Sequence, residues 1–225
     1  MSGNRADDQA LFCSLRDAVA TAFDRSPVRR LQESRGEAWS WSVCALPLQR
    51  GRDLLLGLNW GCDGTGHQPQ EGPPENSAIE EIRKEPFGRA VHDLLARHGR
   101  DLAQMNYFNI CPFRSPNISE LTEDDWGLAV HRFFLPALDA IAPPRTLILG
   151  TTAVNQLNEL APRVGRSLIA DLAWHAIREG GPAAGWGRGM LVGDAGRHPF
   201  IVLPHPQARL GGEVRNRIWA EAFSG

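Results

Sequence analysis

The chain alternates between short apolar runs that stop at glycine or asparagine and longer amphipathic stretches, the pattern of strands feeding helices. Its clearest run is Asp53-Leu54-Leu55-Leu56-Gly57-Leu58-Asn59-Trp60-Gly61. A continuously apolar segment of this length predicts a strand buried in a parallel sheet, delivering polar groups at its carboxyl end. In open α/β sheets, ligands bind at that end. Gly57 and Gly61 allow a tight turn or a close backbone approach, and Asn59 between them both donates and accepts hydrogen bonds. Asn59 is the first candidate site residue, set against the plainer reading of an Asx turn after a strand.

Leu11, Phe12, Leu15, Val19 and Phe23 recur at helical spacing and predict an amphipathic helix over 9–23. Ser26-Pro27 ends it, and the segment from Val28 to Arg35 reads as a basic connector. Alternation over 39–46 predicts an extended segment with Trp39 and Trp41 on one face. Residues 62–76, rich in Gly and Pro, predict a long loop that includes His67. Ser77 and Glu80 then have the spacing of a capping box, and Pro86 interrupts that helix before a second resumes near Phe87. Residues 105–112 predict a short strand ending in a proline-restrained loop, which places Asn109 at a strand end like Asn59. A helix is expected from Thr122 to just before Pro143. A strand over 146–150 follows, feeding a helix through Leu157 and Leu160. Beyond it, a helix over 168–177, a loop over 180–189 and a short strand over 190–192 are expected. The last strand, 200–203, ends in Pro204-His205-Pro206, and a helix over 215–223 closes the chain.

Composition narrows the classes. The 225 residues suffice for one α/β domain with a sizeable core. No apolar run approaches the roughly 20 residues of a membrane span. The first residues lack the apolar core of a secretory signal, so a cytoplasmic location is expected. A net charge of −2 removes the global field that favours nucleic acid, so DNA binding has to use a local patch. Cys13, Cys44, Cys62 and Cys111 stand apart without metal-ligand spacing, which predicts reduced, partly buried thiols and no metal. There is no Gly-Lys-Ser/Thr phosphate loop and no local nucleophile motif. Glu80-Glu81 and Glu123-Asp124-Asp125 read as solvated helix faces. What remains is three strand ends presenting Asn59, Asn109 and His205 to one sheet edge.

At these residues the chain resembles the uracil-DNA glycosylase superfamily, most nearly its single-strand-selective monofunctional branch. Gly57-Leu58-Asn59-Trp60-Gly61 is similar to that family's Gly-Met-Asn-Pro-Gly motif, Asn109-Ile110-Cys111-Pro112 to Asn-Leu-Cys-Pro, and His205-Pro206-Gln207-Ala208-Arg209 to His-Pro-Ser-Pro-Arg. The order along the chain agrees, over roughly residues 50 to 223. The resemblance implies a single α/β/α three-layer sandwich over 1–225 with a mostly parallel sheet of four to five strands and an N-terminal helical extension over 1–36. It implies a monomeric monofunctional DNA glycosylase, without cofactor, that hydrolyses the glycosidic bond of uracil or a related damaged base flipped from single- or double-stranded DNA. Asn59 would position the attacking water and His205 would stabilise charge developing on the uracil O2. Asn109 would read the base edge, with Gly57, Trp60 and Phe108 around it. Gln207, Arg209 and Leu210 would meet DNA, Leu210 as a wedge; a positive groove along Arg114, Arg209 and Arg215 would favour DNA, and an acidic rim would count against it. The departures are Trp60 for the motif proline, Gln207 and Ala208 for Ser and Pro, the longer loop 62–76, and no evident aromatic after the first motif to stack on the base. They keep open a non-catalytic module of the same fold that binds a nucleobase, nucleic acid or protein, and an enzyme acting on a small nucleoside-like ligand.

Overall fold

The computed structural model describes residues 5–36, 40–61, 68–75, 77–177, 185–206, 208 and 210–224. The apolar run predicted as a buried strand is β1 (Leu54–Trp60), and it lies inside a six-stranded mixed sheet. Its neighbours are β2 (Asn106–Arg114) and β3 (Thr146–Leu149), both parallel to it, and β6 (Arg197–Leu203) runs parallel beside β3. β5 (Gly185–Val192) and β4 (Ile169–Ala176) then add two antiparallel strands, giving the order β2-β1-β3-β6-β5-β4. The sheet therefore exceeds the four to five strands expected. β4 replaces the expected helix over 168–177, and β5 extends the short strand over 190–192 back through part of the expected loop.

The physical reason is a side-chain fit between these added strands. A Cβ on Gly187 would lie 2.8 Å from the Trp174 ring, and one on Gly189 would lie 2.8 Å from the Phe200 ring. The glycines let large side chains of the neighbouring strands lie flat on the β5 backbone, a cross-strand arrangement that carries no periodic trace in the sequence.

Side chains alternate across the strands and feed two cores. Leu54, Leu56, Phe108 and Ile110 enter the larger one with α1 (Arg5–Phe23) and α7 (Thr152–Val164). The same core takes the helix built from α5 (Glu123–Ala129), a π segment (Val130–Phe134) and α6 (Leu135–Ile141). Leu55, Leu147, Ile201 and Leu203 enter the other core, with α4 (Pro86–Arg97) and α8 (Gly212–Ser224). Helices thus cover both faces. The N-terminal helix is part of the main core, since Phe12 and Val19 are fully buried in it.

Several local expectations change. The connector after Ser26 is a helix, α2 (Pro27–Ser34), with Pro27 in its first turn and the Ser26 hydroxyl accepting from the Arg29 N–H. Ser77 makes no capping bond to α3 (Ala78–Lys84); its hydroxyl donates to the Glu75 carboxylate instead. Asp125 is fully buried rather than solvated. Of the 39–46 segment, Trp41 is buried and forms an isolated bridge with Phe113, while Trp39 lies outside the described residues. The long helix shifts to π geometry where Pro136 lacks the N–H that the Arg132 carbonyl would take, and the Leu135 N–H donates five residues back to Val130. Among the described residues no helix is long and apolar enough to cross a membrane.

Candidate functional site

A cleft of about 790 Å³ opens where the parallel strands end, lined by Gly57, Asn59, Trp60, Asn109 and His205 among others. Alternation on β1 sets Leu55, Gly57 and Asn59 on one side, and alternation on β2 sets Tyr107 and Asn109 beside them. Gly57 pairs with Asn109 in register, and a Cβ on Gly57 would lie 1.9 Å from the Asn109 Oδ1. Glycine at 57 is what lets the Asn109 carboxamide lie across β1. Asn109 is buried and sits within β2 rather than at its end.

The register slips between Asn59 and Trp60, from the Asn59 pairing with Cys111 to that of Trp60 with Arg114. A bulge of this kind re-aims a side chain, and the Trp60 indole meets the Tyr107 ring at 5.6 Å between centroids. Its Nε1–H donates to the Ser42 carbonyl at 2.7 Å, so the ring is pinned as a wall of the cleft. The Asn59 Nδ2 donates to the Ser115 hydroxyl at 3.1 Å. Ser115 is buried, and it anchors Asn59 across the strand end.

His205 follows β6 into the cleft and stacks on Phe87 at 5.2 Å and 26°. Burial lowers its pKa below the usual histidine value, and the positive charge of Arg215 lowers it further. The imidazole is therefore neutral at pH 7 and holds one N–H to donate. Burial pushes the Tyr107 phenol up to about 12, so it too stays protonated. Glu85 is the acid in the lining among the described residues, and it is exposed at the rim.

The structure brings together Asn59, Asn109, His205, Gly57 and Trp60, and corrects other assignments. Phe108 points away from the cleft: it is fully buried in the larger core, edge-on to Phe133 at 5.4 Å. Leu210 is half-buried and packs against the smaller core. The guanidinium groups of Arg114 and Arg215 are held in place by hydrogen bonds. Arg114 donates to the Gly61 carbonyl and the Ser42 hydroxyl, and Arg215 donates to the carbonyls of Ala208 and Leu210. Gln207, Arg209, Cys62 and His67 lie outside the described residues.

Residues that the pattern did not single out also enter. Phe87 lines the cleft and stacks on His205; it arrives on α4, beyond the long loop, where the sequence marked it only as the start of a helix. Tyr107 precedes Asn109 by two positions, and that spacing on a strand was the available clue. Among the described residues no group of three or more His, Cys, Asp or Glu is placed to hold a metal ion. The arrangement can hold a flat polar ring, read its edge by the Asn109 amide, stack it near Phe87 and donate to it from His205. No protein-family model and no curated protein matches the chain.

Proposed function

We propose that the chain is a monofunctional DNA glycosylase with a uracil-DNA glycosylase-like fold, hydrolysing the glycosidic bond of uracil or a related base flipped from DNA. The observation that carries this reading is the convergence of Asn59, Asn109 and His205, from three different strands, on one cleft with an aromatic ring beside them. These are the positions that resemble the three family motifs. Asn109 pairs with the N3–H and O4 of uracil through one carboxamide, a pattern cytosine reverses. A neutral His205 donates to O2 as negative charge develops there, which is electrostatic stabilisation by a positioned donor. With its Nδ2 held by Ser115, Asn59 offers Oδ1 to a water aimed at the sugar carbon. The water oxygen bonds to that carbon as the bond to the base nitrogen breaks; the water gives up one proton to solvent, and the base leaves with the electron pair as an anion that solvent then protonates at that nitrogen.

One feature favours a second reading, a non-catalytic nucleobase-binding module. The acid in the described lining, Glu85, is exposed at the rim, so no buried carboxylate stands ready to accept the proton of the attacking water. The two readings separate in one experiment. Single- and double-stranded oligonucleotides carrying one uracil are incubated with the protein and then cleaved in alkali. The glycosylase reading expects strand scission, reduced on the order of 10²-fold in Asn59→Ala and His205→Ala. Gly57→Ala should lose about as much, because its methyl group displaces the Asn109 amide. No scission by the wild-type protein rejects uracil excision, and saturable binding of the free base without scission selects the binding module.

A further inference from the structure

We propose that the Tyr107 hydroxyl is a specificity-determining donor of the cleft, bonding a carbonyl oxygen of the bound ring on the side read by Asn109, which for uracil is O4. This deepens the reading above and rests on it for the choice of base. Tyr107 lies two positions ahead of the second motif and belongs to none of the three. It lines the cleft beside Gly57, Trp60 and Asn109. Alternation along β2 gives it the same side as Asn109, roughly 7 Å nearer the start of the strand. Its position is fixed from several directions. The backbone pairs in register with Leu55 of β1, and its carbonyl accepts from the Ala45 N–H at 2.8 Å. The ring packs against the smaller core, and Trp60, itself pinned to Ser42, lies against it.

A tyrosine packed this way usually places its hydroxyl on a partner in the protein. The Tyr107 hydroxyl makes no hydrogen bond among the described residues. Nor is its oxygen sealed in, unlike the Nε1 atoms of Trp186 and Trp219, which are buried without partners. It opens on the space that Tyr107 lines. Burial raises the phenol to about 12, so the group meets a ligand as a donor. Strand order then decides which part of a ring it meets. Tyr107 and Asn109 share β2, whereas His205 follows β6, on the far side of β1 and β3. A uracil with N3–H and O4 on the Asn109 amide and O2 toward His205 therefore turns O4 to the β2 side. One lone pair of O4 goes to the amide, and the second is open to the phenol.

The test uses the full chain and two free rings, uracil and 4-thiouracil, whose sulfur is a poor acceptor in place of O4. Tyr107 is the one tyrosine of the chain, so isotopic labelling of the tyrosine Cζ gives a single NMR resonance beside this hydroxyl. Uracil should move that resonance saturably. Tyr107→Phe should weaken uracil binding about tenfold and 4-thiouracil binding far less. The Asn109 contact to position 4 is common to both proteins and cancels in this comparison. The same substitution should leave the urea unfolding midpoint in place, because the hydroxyl has no partner in the folded chain to lose. A merely structural hydroxyl would instead lower that midpoint and weaken both rings alike. No saturable binding of uracil, an equal loss for both rings, or no loss at all overturns the proposal. Scission of uracil-containing DNA, followed in parallel, separates the two claims. Absent scission with a Tyr107-dependent preference for uracil rejects only the glycosylase reading, whereas scission with an unchanged kcat/KM in Tyr107→Phe rejects only the Tyr107 contact.

Discussion

His205 is held neutral by two influences of the same sign. Packing around the ring removes water from it, and Arg215 on α8 places a positive charge nearby; both disfavour the imidazolium. The Phe87 ring at the start of α4 stacks on it, and the exposed Glu85 lines the same cleft. The His205 imidazole should therefore titrate below the ordinary value of about 6.5 in a heteronuclear NMR titration. Arg215→Gln should move that midpoint up. Because the folded pKa is the lower one, the unfolded chain binds the proton more readily. Stability from this group is present above the unfolded value and is lost as pH falls toward the folded one. On the proposed glycosylase reading, in which His205 acts as a neutral donor, base release should share that acid limb, and the limb should rise with the Arg215→Gln substitution. Overlapping titrations of variant and wild type would refute the electrostatic role of Arg215. Among single residues, Asn59 and His205 could be read as polar groups near strand ends because glycine, asparagine and proline punctuate apolar runs, whereas β2 continues past Asn109. The direction of Phe108 was legible as well, because neighbours on a strand point to opposite faces, so a cleft-facing Asn109 sends Phe108 to the other side.

The helix that begins after Thr122 shows what element boundaries reveal and what they hide. Its start and its end before Pro143 were both legible, yet Asp125 in the acidic first turn is buried. Its carboxylate accepts from the Thr122 N–H and hydroxyl at 2.8 Å each, and from the Val28 N–H at 3.1 Å. One side chain thus caps α5 and ties the first turn of α2 to it. The Thr-x-x-Asp spacing marks the cap, but only the tertiary contact from α2 explains the burial. Asp125→Ala keeps the Thr122 cap on the backbone but removes the reciprocal half of the capping box and leaves the Thr122 and Val28 donors without their charged acceptor, a loss of about 3 kcal/mol in all. Urea unfolding should show a loss near 3 kcal/mol, and thermal unfolding a midpoint lower by about 10 °C. A change below about 0.5 kcal/mol would show that water replaces the carboxylate. The β4–β5 pair was illegible for a different reason. Its stabilising fit lies between Trp174 and the β5 glycines, so neither segment has a period of its own.

At the scale of the molecule, the parallel strands β2, β1, β3 and β6 set the cleft at their shared end, and this much followed from the apolar runs. The wall made by Phe87 and Tyr107 depends on how α4 and β2 pack, which separate windows of sequence do not specify. The same packing divides the thiols. Cys111 is fully buried within β2, and Cys44 is buried in the extended segment beside it. Burial drives both thiols upward in pKa, which suppresses the reactive thiolate. They differ in what must open to expose them. Cys111 is built into β2, where it pairs in register with Asn59 of β1, so its exposure requires disruption of that strand pair. The backbone at Cys44 is clamped by Gln70, whose Oε1 accepts from the Val43 and Cys44 N–H groups while its Nε2 donates to the Cys44 carbonyl at 2.9 Å. Releasing that side chain is a local event, and local opening is less costly than global unfolding. In a Cys13→Ser/Cys62→Ser background, a disulfide-exchange reagent at pH 8 should find no fast thiol. Cys44 should react at a rate that Gln70→Ala raises about tenfold or more, with Cys111 following global unfolding in both backgrounds. Equal acceleration of both cysteines by Gln70→Ala would mean that the clamp stabilises the whole core rather than its edge, and a fast Cys111 would show that β2 opens independently of the fold.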